Sequence, residues 1–173
     1  MLQTLVVDNF FDDVNEIIKL SKKLKYYVRP KHENWPGLRT KSLHLTHYDL
    51  YNNIIVKILN YYYSGINIKY SNSFVHFNKL KYGDKGKYRF HRDEITKIAA
   101  VIYLDFDGDI KSGTTIFYDK KGRKKEKQIV VANKLNTMVA YDGQKYHGFT
   151  SLKNIKKERL TMTVFINEIE VLK

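Results

Sequence analysis

At Ile66 the hydrophobic period of the chain changes, and it does not change back. Upstream, apolar residues recur at helical spacing, as Val14, Ile17, Ile18 and Leu24 and again as Leu50, Ile54, Ile58 and Tyr61 or Tyr62. Downstream, apolar runs of strand length are separated by turns rich in Gly, Asp and Asn. Successive side chains of a strand point to opposite faces, so such segments must bury a face against another layer. Helices first and then about eight short strands predict an α+β fold, mainly β with N-terminal helices, arranged as a double-sheet jelly roll.

Leu5-Val6-Val7 reads as a short strand, and Asp12 is expected to cap a helix over residues 13–25. A second helix over residues 49–62 has a core-like face. Between them, residues 26–46 read as irregular and hold Pro30, Pro36 and the lone tryptophan, Trp35. The centre, Asn34-Trp35-Pro36-Gly37-Leu38-Arg39-Thr40, is either a loop pinned by a buried Trp35 or a lid with Arg39 reaching inward. Strands are expected at residues 74–77, 88–93, 98–104, 113–118, 129–131, 136–141, 146–150 and 160–166. The run 98–104 is apolar throughout, which suits burial on both faces. Lys120-Lys121-Gly122-Arg123-Lys124-Lys125 reads as a basic hairpin tip. With no repeat, linker or low-complexity block, residues 1–173 are expected to form a single domain. Within it, residues 1–65 would be helical support and lid, and residues 66–173 the strand core.

Hydrophobic residues make up 43% of the 173, enough to bury a core. No apolar run reaches bilayer length, and residues 1–11 lack the layout of a signal peptide, so a cytoplasmic protein with no membrane partner is the expectation. The chain has no cysteine, so any metal must be held by nitrogen and oxygen. The formal net charge of +13 invites a nucleic-acid reading. Its source is nearly all lysine, with arginine only at positions 29, 39, 89, 92, 123 and 159. That bias fits AT-rich coding better than a phosphate-reading surface, so a polyanionic partner is the less favoured reading.

Phe90-His91-Arg92-Asp93 carries the first sign of chemistry. On a strand, His91 and Asp93 would present an imidazole and a carboxylate to one cavity. With a distant His147 they make the two-His, one-carboxylate set that leaves open positions on Fe(II). His-x-Asp alone is a weak signal; His32, His44, His47 and His76 lack any such context. Arg159 opens the last expected strand, sharing one face with Thr161 and Thr163 while Leu160, Met162 and Val164 share the other.

A strand-borne His-x-Asp, further strands, a second His and then an Arg at the start of the final strand is an ordered pattern. In it, roughly over residues 74–167, the chain resembles the 2-oxoglutarate- and Fe(II)-dependent dioxygenases, within them the prolyl-hydroxylase-like branch. The resemblance implies a double-stranded β-helix (cupin-like) core with Fe(II) at His91, Asp93 and His147. It implies 2-oxoglutarate held by Arg159 and Tyr103, with Tyr82 and Thr163 assisting, and Lys153, Lys156 and Lys157 as outside candidates for Arg159's role. Gly113-Thr114-Thr115 would keep bulk out of the pocket, and Trp35 and Arg39 would lie on the substrate side. O2 would be consumed, succinate and CO2 released, and ascorbate needed for sustained activity. The substrate would be a small molecule or peptide, such as a free amino acid or a prolyl residue. Two alternatives stand beside this reading: an oxidative demethylase acting on nucleic acid, and a cupin-like module that binds metal without turnover.

Overall fold

The computed structural model describes residues 2–30, 33, 35–81, 84, 90–105, 110–118, 128–151, 155 and 158–172. Two helices precede most of the strands. Helix α1 (Val14–Lys23) starts where the Asp13 side chain accepts the backbone N–H groups of Asn15 and Glu16 at 2.9 and 3.2 Å. The cap is therefore Asp13 rather than Asp12, because only Asp13 stands one residue before the first helical turn. Helix α2 (Tyr48–Tyr63) buries Tyr51, Ile54, Ile55, Ile58 and Leu59, one continuous stripe at i, i+3, i+4, i+7 and i+8. Tyr61 faces solvent, and Tyr62 packs against the core instead.

The strands form two antiparallel sheets. They are β1 (Leu5–Val7), β2 (Tyr26–Val28), β3 (Leu38–Thr40), β4 (Ile68–Leu80), β5 (Ile98–Tyr103), β6 (Thr114–Phe117), β7 (Gln128–Val131), β8 (Met138–Asp142), β9 (His147–Phe149) and β10 (Arg159–Val171). The larger sheet runs β1-β8-β5-β10-β4-β3-β2 and the smaller β7-β6-β9. The helices pack on the outer face of the larger sheet, against Val75, Phe77, Ile102, Met162, Val164 and their neighbours. A second apolar cluster, Ala99, Tyr103, Ile116, Val131, Val139 and Tyr141, lies between the sheets. Each fully buried Ile of α2 contributes about 1.5–3 kcal/mol by leaving water. This is a double-stranded β-helix with N-terminal helices on one sheet.

Residues 26–46 are not irregular throughout. They hold β2, β3 and a 3-10 turn at Leu43–Leu45. Strand β3 joins the sheet because Leu38 and Arg39 find Lys79 and Asn78 on β4. Gly37 makes this approach feasible: its φ is +72°, and a Cβ there would stand 2.2 Å from the Lys79 carbonyl oxygen. The stretch at His91 differs too. Among the described residues it is a single bridge to His147, not a regular strand. Residues 120–125, the expected basic tip, lie outside the described residues.

Candidate active site

The site lies on the inner face of the larger sheet, in a cavity of about 690 Å³. Strand β10 turns Arg159, Thr161, Thr163 and Phe165 into it, while Met162, Val164 and Ile166 go to the core under the helices. Antiparallel partners share a face, so the register brings Val101 and Ala99 of β5, Asn78 of β4 and Tyr141 of β8 to the same wall.

His91 and His147 face each other across their bridge. Each donates its backbone N–H to the other's carbonyl, at 3.0 and 2.9 Å, and the rings sit 4.6 Å apart. Phe90 anchors the segment edge-on against Phe117 at 4.9 Å. The Asp93 N–H donates to the Gly143 carbonyl at 2.9 Å, which turns the carboxylate toward the imidazoles. Asp93 then stands 3.4 Å from His91 Nε2 and 3.3 Å from His147 Nε2. One donor atom from each of the three residues lies within 4.8 Å of the others. Burial works to raise the Asp93 carboxyl, but His147 and His91 outweigh it and hold it well below the usual carboxylate range.

This donor set suits a cation. His147 Nδ1 lies 2.8 Å from the Lys145 carbonyl, which can only accept, so Nδ1 carries a proton and Nε2 is the ring atom left to face Asp93. Nε2 stands 3.3 Å from Asp93 Oδ2, which is buried and has no aligned hydrogen-bond partner among the described residues. A shared proton, which holds the carboxyl low, or a metal can stand between these two atoms.

Arg159 is buried at 5% exposure, and its Nε has no hydrogen-bond partner among the described residues. Its guanidinium lies over the Tyr103 ring at 5.6 Å. Burial lowers its pKa against the opposing pull of Tyr103, Asp105 and Tyr141. Tyr103 is fully buried, and its hydroxyl donates to Thr114 Oγ1 at 2.7 Å, so Thr114 is the group that reaches the cavity wall. Thr163 Oγ1 accepts from Asn78 Nδ2 at 2.8 Å. Gly113 does its steric work elsewhere than expected: a Cβ there would meet the Val131 carbonyl oxygen at 1.8 Å, so it admits β7 rather than clearing the pocket. Tyr82, Lys153, Lys156 and Lys157 lie outside the described residues.

Trp35 and Arg39 both line the cavity, but Arg39 is a wall residue on β3. Its Nε donates to Asn78 Oδ1 at 2.7 Å. Its pKa is lowered to about 10, chiefly by burial, against the pull of Glu33 and Asp93. Asn78, Tyr141 and Phe165 line the cavity and were not legible as such, whereas Thr114 lies on the pocket-facing stretch expected from the sequence. The period-two run ending at Leu80 puts Asn78 on the face of His76, which was the available signal. Tyr141 is buried with its ring 4.7 Å from that of His147, and burial pushes its phenol well above the usual range.

Among solved structures the fold has relatives of low sequence identity. A prolyl-4-hydroxylase of Pseudomonas putida aligns with TM-score 0.56 and 15% identity, covering 95% of this chain and 92% of that one. EvdO2 of Micromonospora carbonacea var. aurantiaca, complexed with 2-oxoglutarate, gives 0.61 and 9%, covering 98% and 88%. The non-heme alpha ketoglutarate dependent epimerase SnoN of nogalamycin biosynthesis gives 0.65 and 12%, covering 94% and 76%. No curated protein matches the sequence. The family model of the 2OG-Fe(II) oxygenase superfamily matches residues 76–167, more than half of the chain and the stretch that contains the three converging side chains and Arg159. The chain is thus a member of the 2OG-Fe(II) oxygenase superfamily, an oxidoreductase family of dioxygenases built on this double-stranded β-helix.

Proposed function

We propose that this chain hydroxylates a small-molecule or peptide substrate, with His91, Asp93 and His147 holding Fe(II) and Arg159 holding the distal carboxylate of 2-oxoglutarate. The observation that carries the reading is the meeting, in one cavity, of a two-His, one-Asp donor set and a buried guanidinium whose Nε has no partner among the described residues. Bound Fe(II) would supply oxygen activation, one O2 atom entering succinate as 2-oxoglutarate loses CO2 and the other the new hydroxyl.

The chain's own residues supply the rest. The Lys145 carbonyl fixes the His147 tautomer, leaving Nε2 free to ligate. Arg159 matches a carboxylate in planar, charge-assisted geometry, worth roughly 1.5–3 kcal/mol per hydrogen bond. Thr114 and Tyr103 complete a chain of hydroxyls behind it. Ala99, Val101 and Phe165 give the cavity an apolar wall that excludes water from the reacting centre.

The test is iron bound per chain, with succinate formed from 2-oxoglutarate in the presence of ascorbate. The wild type is expected to bind one Fe(II), and His91→Ala, Asp93→Ala and His147→Ala are each expected to lose it. Near-full occupancy in any two of these variants would remove the metal assignment. Iron binding without succinate would favour a module that holds metal without turnover.

A further inference from the structure

Arg39 is unusual in how completely its surroundings aim it. Its Nε is fixed by Asn78, which is itself fixed by Thr163. The guanidinium lies 4.7 Å from the Trp35 ring and 5.7 Å from the Phe165 ring. With Nε engaged and two aromatic rings against it, the outer Nη groups remain for a partner. Among the described residues no carboxylate comes within ion-pair distance of them. A half-buried guanidinium held in this way, on the wall of a cavity, is complementary to a planar anion.

We propose that Arg39 receives a carboxylate of the substrate, so that the molecule oxidised here is a small carboxylic acid of the free amino acid type. This rests on the reading of the site given above and narrows its substrate. The distal carboxylate of 2-oxoglutarate is already assigned to Arg159 in that reading. Arg39 stands two strands from β10, on β3, with its Nε on Asn78 and its head near the Phe165 ring, so it is a second cation on the same cavity wall. Arg39 and Asp93 line the same cavity, which sets an acid held by Arg39 on the side of the reacting centre. An internal prolyl residue of a peptide or a nucleobase offers no carboxylate there, and a cavity of about 690 Å³ shared with a co-substrate suits a small molecule.

The experiment is calorimetry on the full chain loaded with redox-inert Zn(II) and saturated with 2-oxoglutarate. The probes are the protein amino acids as free acids, the same set as primary carboxamides, and inorganic phosphate. Stabilisation by 2-oxoglutarate comes first: its absence would mean that the site reading itself fails. Given that stabilisation, at least one acid is expected to bind, with its carboxamide about 10-fold weaker or worse. Arg39→Met is expected to weaken that acid by about 10–100-fold while 2-oxoglutarate still stabilises the protein. Arg39→Lys should recover part of the loss. The acid-against-carboxamide comparison uses the wild-type chain, so it stands even where a variant folds poorly. Equal binding of acid and carboxamide, tightest binding of phosphate, no binding of any acid, or full binding to a folded Arg39→Met would each overturn the proposal.

Discussion

Arg159→Met separates what the guanidinium does to the empty fold from what it does for a ligand. Arg159 is 5% exposed, with its Nε unpartnered among the described residues. Asp105, the acid that influences it, already accepts the Leu160 N–H at 2.6 Å and the Asn133 amide at 3.2 Å, so it stays satisfied when the cation goes. Removing a buried Nε–H that lacks a partner among the described residues should return about 1–3 kcal/mol. Loss of the contact with the Tyr103 ring offsets about 0.5–2 kcal/mol of that. The net expectation is a ligand-free variant more stable by about 1 kcal/mol, or 2–4 °C in Tm for a chain of this size. With 2-oxoglutarate at about one hundred times its Kd, the wild type gains about 2.7 kcal/mol, or 5–10 °C. The variant should gain almost none. The two melting curves must therefore exchange order when 2-oxoglutarate is added to the metal-loaded proteins, which differential scanning calorimetry reads directly. A variant that melts well below wild type without ligand would make Arg159 a structural cation. A variant that keeps the full ligand shift would move the anion site elsewhere.

Two other perturbations test the fold around the site. His76 is brought down to about 4, by burial first and then by Arg39, so the unfolded chain takes up its proton near pH 6.5 before the folded one does. Stability should then fall as pH drops from about 6.5 to 4 and level off below, by at most about 3 kcal/mol, and His76→Asn should flatten that slope in urea titrations. Equal slopes in the two proteins would refute the assignment. Gly113→Ala would set a Cβ 1.8 Å from the Val131 carbonyl oxygen, so β6 and β7 must part. The expected loss is about 3 kcal/mol or more, near 6–12 °C in Tm, and an unchanged melting curve would show that the close approach is relieved cheaply.

What the sequence reveals here follows where the local signal lies. Helix α2 and strand β5 are legible because every buried position is apolar and the spacing is clean. Strands β4 and β10 are longer than their apolar cores suggest, since Ile68–Ser73 pairs with Ile166–Val171 as a partly exposed ribbon where both faces carry polar residues. Strands β2 and β3 have three residues each and exist through their partners, which a chain-local period cannot register. The convergence of His91, Asp93 and His147 could be expected from order and residue type. The backbone that achieves it could not: a two-residue bridge and a hydrogen bond to Gly143 replace the expected strand. Asn78 and Tyr141 stayed hidden because their importance lies in neighbours distant in sequence.

Strand β10 has a consequence for how this protein can change. From Arg159 to Ile166, odd-numbered side chains line the cavity and even-numbered ones, from Met162 onward, fill the core under the helices. Two selective pressures are thus interleaved letter by letter in one short string of sequence. A scan of substitutions along it should yield a comb, with folded but inactive variants alternating with poorly folded ones. Point changes at Thr161, Thr163 or Phe165 let specificity drift while the scaffold persists. Loss of a single residue from the strand would swap the two alphabets at once, sending core methionine, valine and isoleucine toward the cavity and its polar side chains into the core. Innovation in this site must therefore proceed by substitution, because length variation is closed to its central strand.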